Sequence, residues 1–193
     1  VGHELVPGVH LSGLVAQRNL VLLGIEGDDV NVDLIANSNN IFKGTFDGQG
    51  HTITNLVVNG GSNSNHGLFG VTHDGEIKNF TLENAKVSGR LNVGAVAGQP
   101  YTSKYTNITV KGHVEINGMA YVGGVGGKNA YADWTDITVD VDATSYVKAD
   151  SVENGTAYRT YVGGVVGFNG EGTQPYTNIT SNIDVIGSTM DIG

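Results

Sequence analysis

Cysteine is absent from this chain of 193 residues, which excludes disulfide bridges and thiolate metal sites. Aromatic residues make up only 7%, so β-branched and other small side chains must fill most of any core. Basic residues are scarce: 10 Lys and Arg face 19 Asp and Glu, for a formal charge of −9. Such an acidic surface repels phosphate backbones, and no nucleic-acid partner is expected. No apolar run approaches the roughly 18 residues of a membrane span, so membrane insertion is not expected either. The chain opens without a basic segment followed by a long apolar stretch, and any leader peptide is read as already removed. Helical signals are missing too, since no ten-residue run carries a 3.6 period.

Glycine is what the chain has in excess, with 30 residues against a usual share of about 7%. Much of it falls in a recurring block: HGLFG (66–70), VGAVAG (93–98), VGGVGG (122–127) and VGGVVG (162–167). A second block follows each copy: IKNFTL (77–82), YTNITV (105–110), WTDITV (134–139) and YTNITS (176–181), with ITNLVV (53–58) read as an earlier relative. Both blocks advance by nearly the same step, so the chain is read as a repeat. The long last step is assigned to a polar surface insertion, KADSVENGTAYR (148–159).

Three strand-like pieces per step fit one coil of a parallel β-helix, whose inward residues are buried against the coils above and below. The expected fold is therefore all-β, a repeat solenoid, most simply a right-handed parallel β-helix. The competing arrangement is an antiparallel sandwich or prism of repeated hairpins. Asn59-Gly60 and Asn117-Gly118 are the turn signals in its favour. Residues 1–40 are read as N-terminal capping strands and 41–193 as the repeat region, cut from a larger protein. The second block predicts stacked columns: a large residue at Ile53, Ile77, Tyr105, Trp134 and Tyr176, and an apolar one at Leu56, Phe80, Ile108, Ile137 and Ile179. A corner position falls at Asn55, Asn79, Asn107, Asp136 and Asn178. Asparagine tolerates a left-handed corner and stacks amide to amide, whereas the carboxylate of Asp136 has no N–H to pass on.

FKGTFDGQGHTITNLVVNG, then GLFG, then IKNFTLENAKVSG resembles the GLUG-repeat family of bacterial surface proteins over roughly residues 41–186. Similar segments occur in the non-catalytic regions of IgA-specific metallopeptidases and in large adhesin-like proteins. The resemblance implies a secreted or cell-surface bacterial module and brings no catalytic residues with it.

The candidate chemistry is thin. Dinucleotide and P-loop fingerprints are absent, so Gly67, Gly70, Gly94, Gly98, Gly124, Gly127, Gly164 and Gly167 are read as structural, and no cofactor is expected. His3-Glu4 starts a zinc-protease string that Val6 and Pro7 break; no metal site is assigned. Asp133, Asp136, Asp140 and Asp142, like Asp28, Asp29 and Asp33, lack an arginine in the same repeat phase. Solvated surface is preferred for both groups over a catalytic or Ca²⁺ cluster. Asn79, Asn107, Asn154 and Asn178 each open an Asn-x-Thr string, which for three of them follows from the repeat itself. Tyr101, Tyr121, Tyr131, Tyr146 and Tyr158 form the candidate binding surface, with Tyr161 beside them; stacking on a glycan or host protein and packing within the repeat both fit. The expected role is non-enzymatic, supporting or presenting other domains of the same chain or binding a host ligand. The substrate-positioning region of an IgA-type metallopeptidase and a glycan-active β-helix enzyme are the alternatives.

Overall fold

In the computed structural model, residues 39–150, 159–170 and 175–187 are described in full, and the strand backbone also at 3–5, 20–22, 152–153 and 156–157. Two N-terminal strands, β1 (His3–Leu5) and β2 (Leu20–Leu22), lead into β3 (Thr45–Asp47) and β4 (Thr52–Asn59). Next come β5 (Phe69–His73), β6 (Glu76–Ser88), β7 (Leu91–Gly94), β8 (Ala97–Tyr101) and β9 (Lys104–Gly118). The following turn holds β10 (Ala120–Gly123), β11 (Gly126–Asn129), β12 (Asp133–Val141) and β13 (Tyr146–Ala149). After a short hairpin, β14 (Val152–Glu153) and β15 (Thr156–Ala157), the last turn brings β16 (Val162–Gly163), β17 (Val166–Asn169), β18 (Tyr176–Ser181) and β19 (Asp184–Gly187). No helix occurs among the described residues.

The strands stack as a parallel β-solenoid of about four turns. One sheet runs β1-β2-β3-β6-β9-β12-β18, with β4 beside β6 and β13 joining β9 to β19; two smaller sheets run β16-β10-β7 and β17-β11-β8-β5. All these pairings are parallel, which removes the antiparallel sandwich or prism. The one antiparallel pair among the described strands is β14 with β15, flanking the sequence Asn154-Gly155. Asn59 ends β4 and Asn117-Gly118 ends β9, so those two Asn-Gly pairs mark solenoid corners, not hairpins. The insertion is shorter than read from sequence, because Lys148 and Ala149 belong to β13 and pair with Asn117 and Gly118. The N-terminal strands β1 and β2 extend the same sheet in parallel from β3; the rest of residues 1–38, with Asp28, Asp29 and Asp33, lies outside the described residues.

The glycine blocks stay in phase on their last glycine: Phe69 pairs with Ala97, Ala97 with Gly126 and Gly126 with Val166. The first of the second blocks does not. Phe46, not Ile53, stacks on Ile77, while Ile53 pairs with Leu82 and Leu56 with Ala85. Asp47-Gly48-Gln49-Gly50 accounts for the slip: this corner adds a local turn, with Gly50 N–H bonding to Asn79 O. The large column therefore reads Phe46, Ile77, Tyr105, Trp134, Tyr176, the first four fully buried.

Left-handed residues turn the chain at four recurrent corners. One holds Asn79, Asn107, Asp136 and Asn178, a second Asn55, Asn84 and Gly112, a third Asn65, Asn92 and Tyr121, and a fourth Asp74, Thr102 and Tyr131. Asparagine and glycine suit this region, whereas a β-branched or bulky residue there costs about 1–2 kcal/mol. At the first corner Asn79 donates to Asp47 Oδ1 (3.1 Å), Asn107 to Asn79 (3.0 Å) and Asn178 to Asp136 (2.7 Å). A carboxylate cannot donate in turn, so the ladder breaks between Asp136 and Asn107. At the next two corners Asn84 donates to Asn55 (3.2 Å) and Asn92 to Asn65 (2.6 Å).

Outside the core, charges alternate up the stack. Glu76 pairs in register with Lys104 and Lys104 with Asp133; Glu83 pairs with Lys111 and Lys111 with Asp140. Opposite charges on facing rungs favour this register over a slipped one.

Candidate functional site

The candidate tyrosines divide among three places. Tyr101 stacks on His73 (ring centroids 4.7 Å apart, planes at 24°) and meets Tyr131 edge to face (5.8 Å). Tyr121 stacks on Tyr161 (5.2 Å, 5°), with Phe168 edge-on to both and Lys128 Nζ 5.4 Å from the Tyr121 ring. Tyr146 stands apart on β13, within 3.4 Å of Asn117 Nδ2. Tyr158 lies outside the described residues. Tyr101 on His73 and Tyr121 on Tyr161 are stacked pairs one rung apart, which cover one face of each ring within the solenoid. Tyr105 is core, and Tyr176 is its half-exposed counterpart at the last turn.

The glycines divide by what surrounds them. A Cβ on Gly67 would sit 2.6 Å from Gly94 O, one on Gly94 2.6 Å from Val125 O, and one on Gly127 2.5 Å from Val93 N. For Gly167 the contact is Val122 N at 2.5 Å. Gly98 and Gly124 likewise lie against backbone, of Asn65–His66 and of Gly164. These are true close approaches of neighbouring turns, where no side chain fits. Gly164 differs, since its Cβ would meet the Ser181 hydroxyl (2.7 Å), the end of a short side chain. Gly70 lies buried at the matching place in the first copy.

The acidic candidates are drawn into the ladders. Asp136 accepts from Asn178, and Asp140 accepts from Asn182 (3.0 Å). Asp142 leaves the strand to cap a turn, taking the Thr144 N–H (2.9 Å), the Thr144 hydroxyl (2.7 Å) and the Ser145 hydroxyl (3.0 Å). The Thr144 bonds lead in holding its carboxyl down to about 2. Beside it His113 bridges two carboxylates, Glu115 through Nε2 (3.0 Å) and Asp142 through Nδ1 (3.2 Å). Glu115 first, then Asp142, holds the His113 pKa above its ordinary value. Among the described residues no group of three or more His, Asp or Glu is placed to hold a metal ion.

One feature gave no signal in the sequence: a cleft at the fourth corner, of about 420 Å³, lined by Lys43, Gly44, Thr45, Asp74, Gly75, Glu76, Thr102 and Lys104. It crosses three turns, because Thr45, Glu76 and Lys104 pair in register. Asp74 is fixed there by the Thr102 hydroxyl, which donates to Oδ1 at 2.6 Å, and His73 Nδ1 lies 2.8 Å from Oδ2. The Thr102 bond leads in lowering the Asp74 pKa, with His73 and Lys43 adding charge attraction. Only the three-dimensional stacking of distant segments reveals this grouping.

These features define a parallel β-solenoid whose polar groups are mostly committed to its own ladders. A stretch of 90 residues, 45% of the chain, is 40% identical to halomucin of Haloquadratum walsbyi, and covers 1% of that protein's length. No protein-family model matches the chain, and no solved structure matches it significantly. No helix among the described residues is long and apolar enough to cross a membrane.

Proposed function

We propose that this chain is a non-enzymatic structural module of a secreted or cell-surface protein, a stiff spacer that supports or presents other domains. The observation that carries this reading is the parallel stacking of β6, β9, β12 and β18, rung on rung from Ile77 through Tyr105 and Trp134 to Tyr176. Length in such a stack grows by adding turns, and each turn is held by its neighbours. The partial likeness to halomucin, a protein named as a mucin, supports an extracellular setting. The glycine block that keeps one phase through its four copies supports kinship with GLUG-type repeats of surface proteins. Asp140 and Asp142, two of the candidate carboxylates, are bound to Asn182 and to the Thr144 turn.

Single-molecule pulling along the chain tests this role. A spacer gives high, stepwise unfolding forces as turns peel away, whereas one low-force event opposes it. Turnover of an acidic polysaccharide by the wild type, lost in Asp140→Asn and Asp142→Asn, overturns the non-enzymatic reading.

A further inference from the structure

We infer that the cleft at the fourth corner binds a linear, uncharged glycan lying parallel to the solenoid axis. This goes beyond the spacer role and does not depend on it. The cleft volume of about 420 Å³ falls in the range of about 300–1,000 Å³ typical of small-ligand sites. Its lining is polar and carries both signs: Lys43 and Lys104 against Asp74 and Glu76. Within the cleft the two lysines offset the two carboxylates, but an anionic polymer would approach a chain of net charge −9. Hydroxyl groups, by contrast, both donate to carboxylates and accept from ammonium groups, so a neutral sugar satisfies every wall.

The acceptor in this cleft is fixed in advance. Asp74 and Thr102 both sit in the left-handed region (φ 54° and 43°), and the Thr102 hydroxyl pins one carboxylate oxygen. A preset carboxylate loses little freedom on binding a diol.

The direction follows from the repeat. Rungs are spaced about 4.8 Å apart, so an extended chain laid along the axis passes Thr45, Glu76 and Lys104 on successive turns. An extended peptide fits less well: β6, at the centre of the cleft, is paired on both sides, by β3 and by β9, and offers no free edge for strand addition.

The test is a titration of the isotope-labelled chain, followed by amide chemical shifts, with hexamers of β-1,4-glucose, β-1,3-glucose, α-1,4-glucose and β-1,4-mannose, beside polygalacturonate oligomers and a neutral extended peptide. At least one neutral hexamer is expected to shift residues 43–45, 74–76 and 102–104 at millimolar concentration. Asp74→Asn, which keeps the left-handed preference, should weaken that binding about tenfold or more. Thr102→Asn, which relaxes the corner but removes the hydroxyl, should weaken it as well, while Lys128→Ala at the third corner should not. Unchanged thermal midpoints establish that the variants are folded. The proposal falls if no neutral hexamer shifts these residues, if the shifts map elsewhere, or if polygalacturonate or the peptide binds this cleft in preference.

Discussion

Tyr105 and Trp134, one rung apart in the large column, stack with ring centroids 4.2 Å apart and planes at 10°. Both are fully buried, and the Tyr105 hydroxyl shares a 2.7 Å hydrogen bond with Thr72 Oγ1 from the far side of the core. Burial pushes the Tyr105 phenol well above its usual range, so it stays protonated. Room for the indole comes from Gly126, where a Cβ would lie 2.8 Å from Trp134 Cη2. A glycine in one block thus fits the largest residue of the other.

Trp134→Leu is expected to destabilise the fold by about 3 kcal/mol, through lost contact area and a residual cavity. Tyr105→Phe should cost about 1–2 kcal/mol, because Thr72 is left buried without its partner. Urea titrations followed by circular dichroism measure both. As the sole tryptophan, Trp134 also reports wild-type unfolding by a red shift of its emission.

The two glycines of the last block should behave differently. Gly167→Ala places a methyl 2.5 Å from Val122 N, in backbone that cannot step aside, and should cost about 3 kcal/mol or more. Gly164→Ala comes too close only to the Ser181 hydroxyl, which can rotate away, with Ser181 Cβ and Ile183 Cγ2 at ordinary contact distance (3.4 and 3.5 Å), and should cost less than about 1 kcal/mol. Equal losses of thermal midpoint in the two variants would refute this distinction.

Asp136→Asn should stabilise the protein. The new amide keeps the left-handed corner (φ 55°), still accepts from Asn178, and gains an N–H for Asn107. A gain of about 0.5–1 kcal/mol is expected for one hydrogen bond in an exposed ladder. A thermal midpoint no higher than wild type would show that the ladder bonds add nothing here.

The repeat and the all-β class were legible because Gly167, Val162 and their copies recur at a step that only stacking explains. The phase of the first turn was not legible. Ile53-Thr54-Asn55-Leu56 follows the pattern of the later block, large residue, polar residue, asparagine, apolar residue, yet after the local turn at Gly48–Gly50 it pairs with Leu82–Ala85 instead of Ile77–Phe80. The second and third strand-like pieces are separate in two turns, as β12 and β13 and as β18 and β19, but run together as one bent strand in β6 and β9, where Gly112 and His113 occupy the place of a single residue, Asn84. The cleft was invisible because Lys43, Asp74, Thr102 and Lys104 come from three turns, and no local pattern joins them.

His66 makes the first turns sensitive to acid. It is 3% exposed, its ring lies against Gly60 and Gly89, and neither ring nitrogen has a well-formed hydrogen bond. Burial lowers its pKa below 6.5, with a nearby backbone group of Asn63 opposing part of the shift. The fold therefore holds the neutral imidazole. Its contribution is complete above the unfolded value of about 6.5 and declines as pH falls below it, because the unfolded chain takes up the proton first. His113 works in the opposite direction: its carboxylate partners stabilise the fold below about 6.5, and that support fades as pH rises through its raised pKa. His113 is exposed and screened, so its share is small and salt-sensitive. In high salt, then, the loss of thermal midpoint between pH 7.5 and pH 5 should be smaller in His66→Leu than in wild type. An undiminished acid loss in that variant would assign the sensitivity to the carboxylates instead.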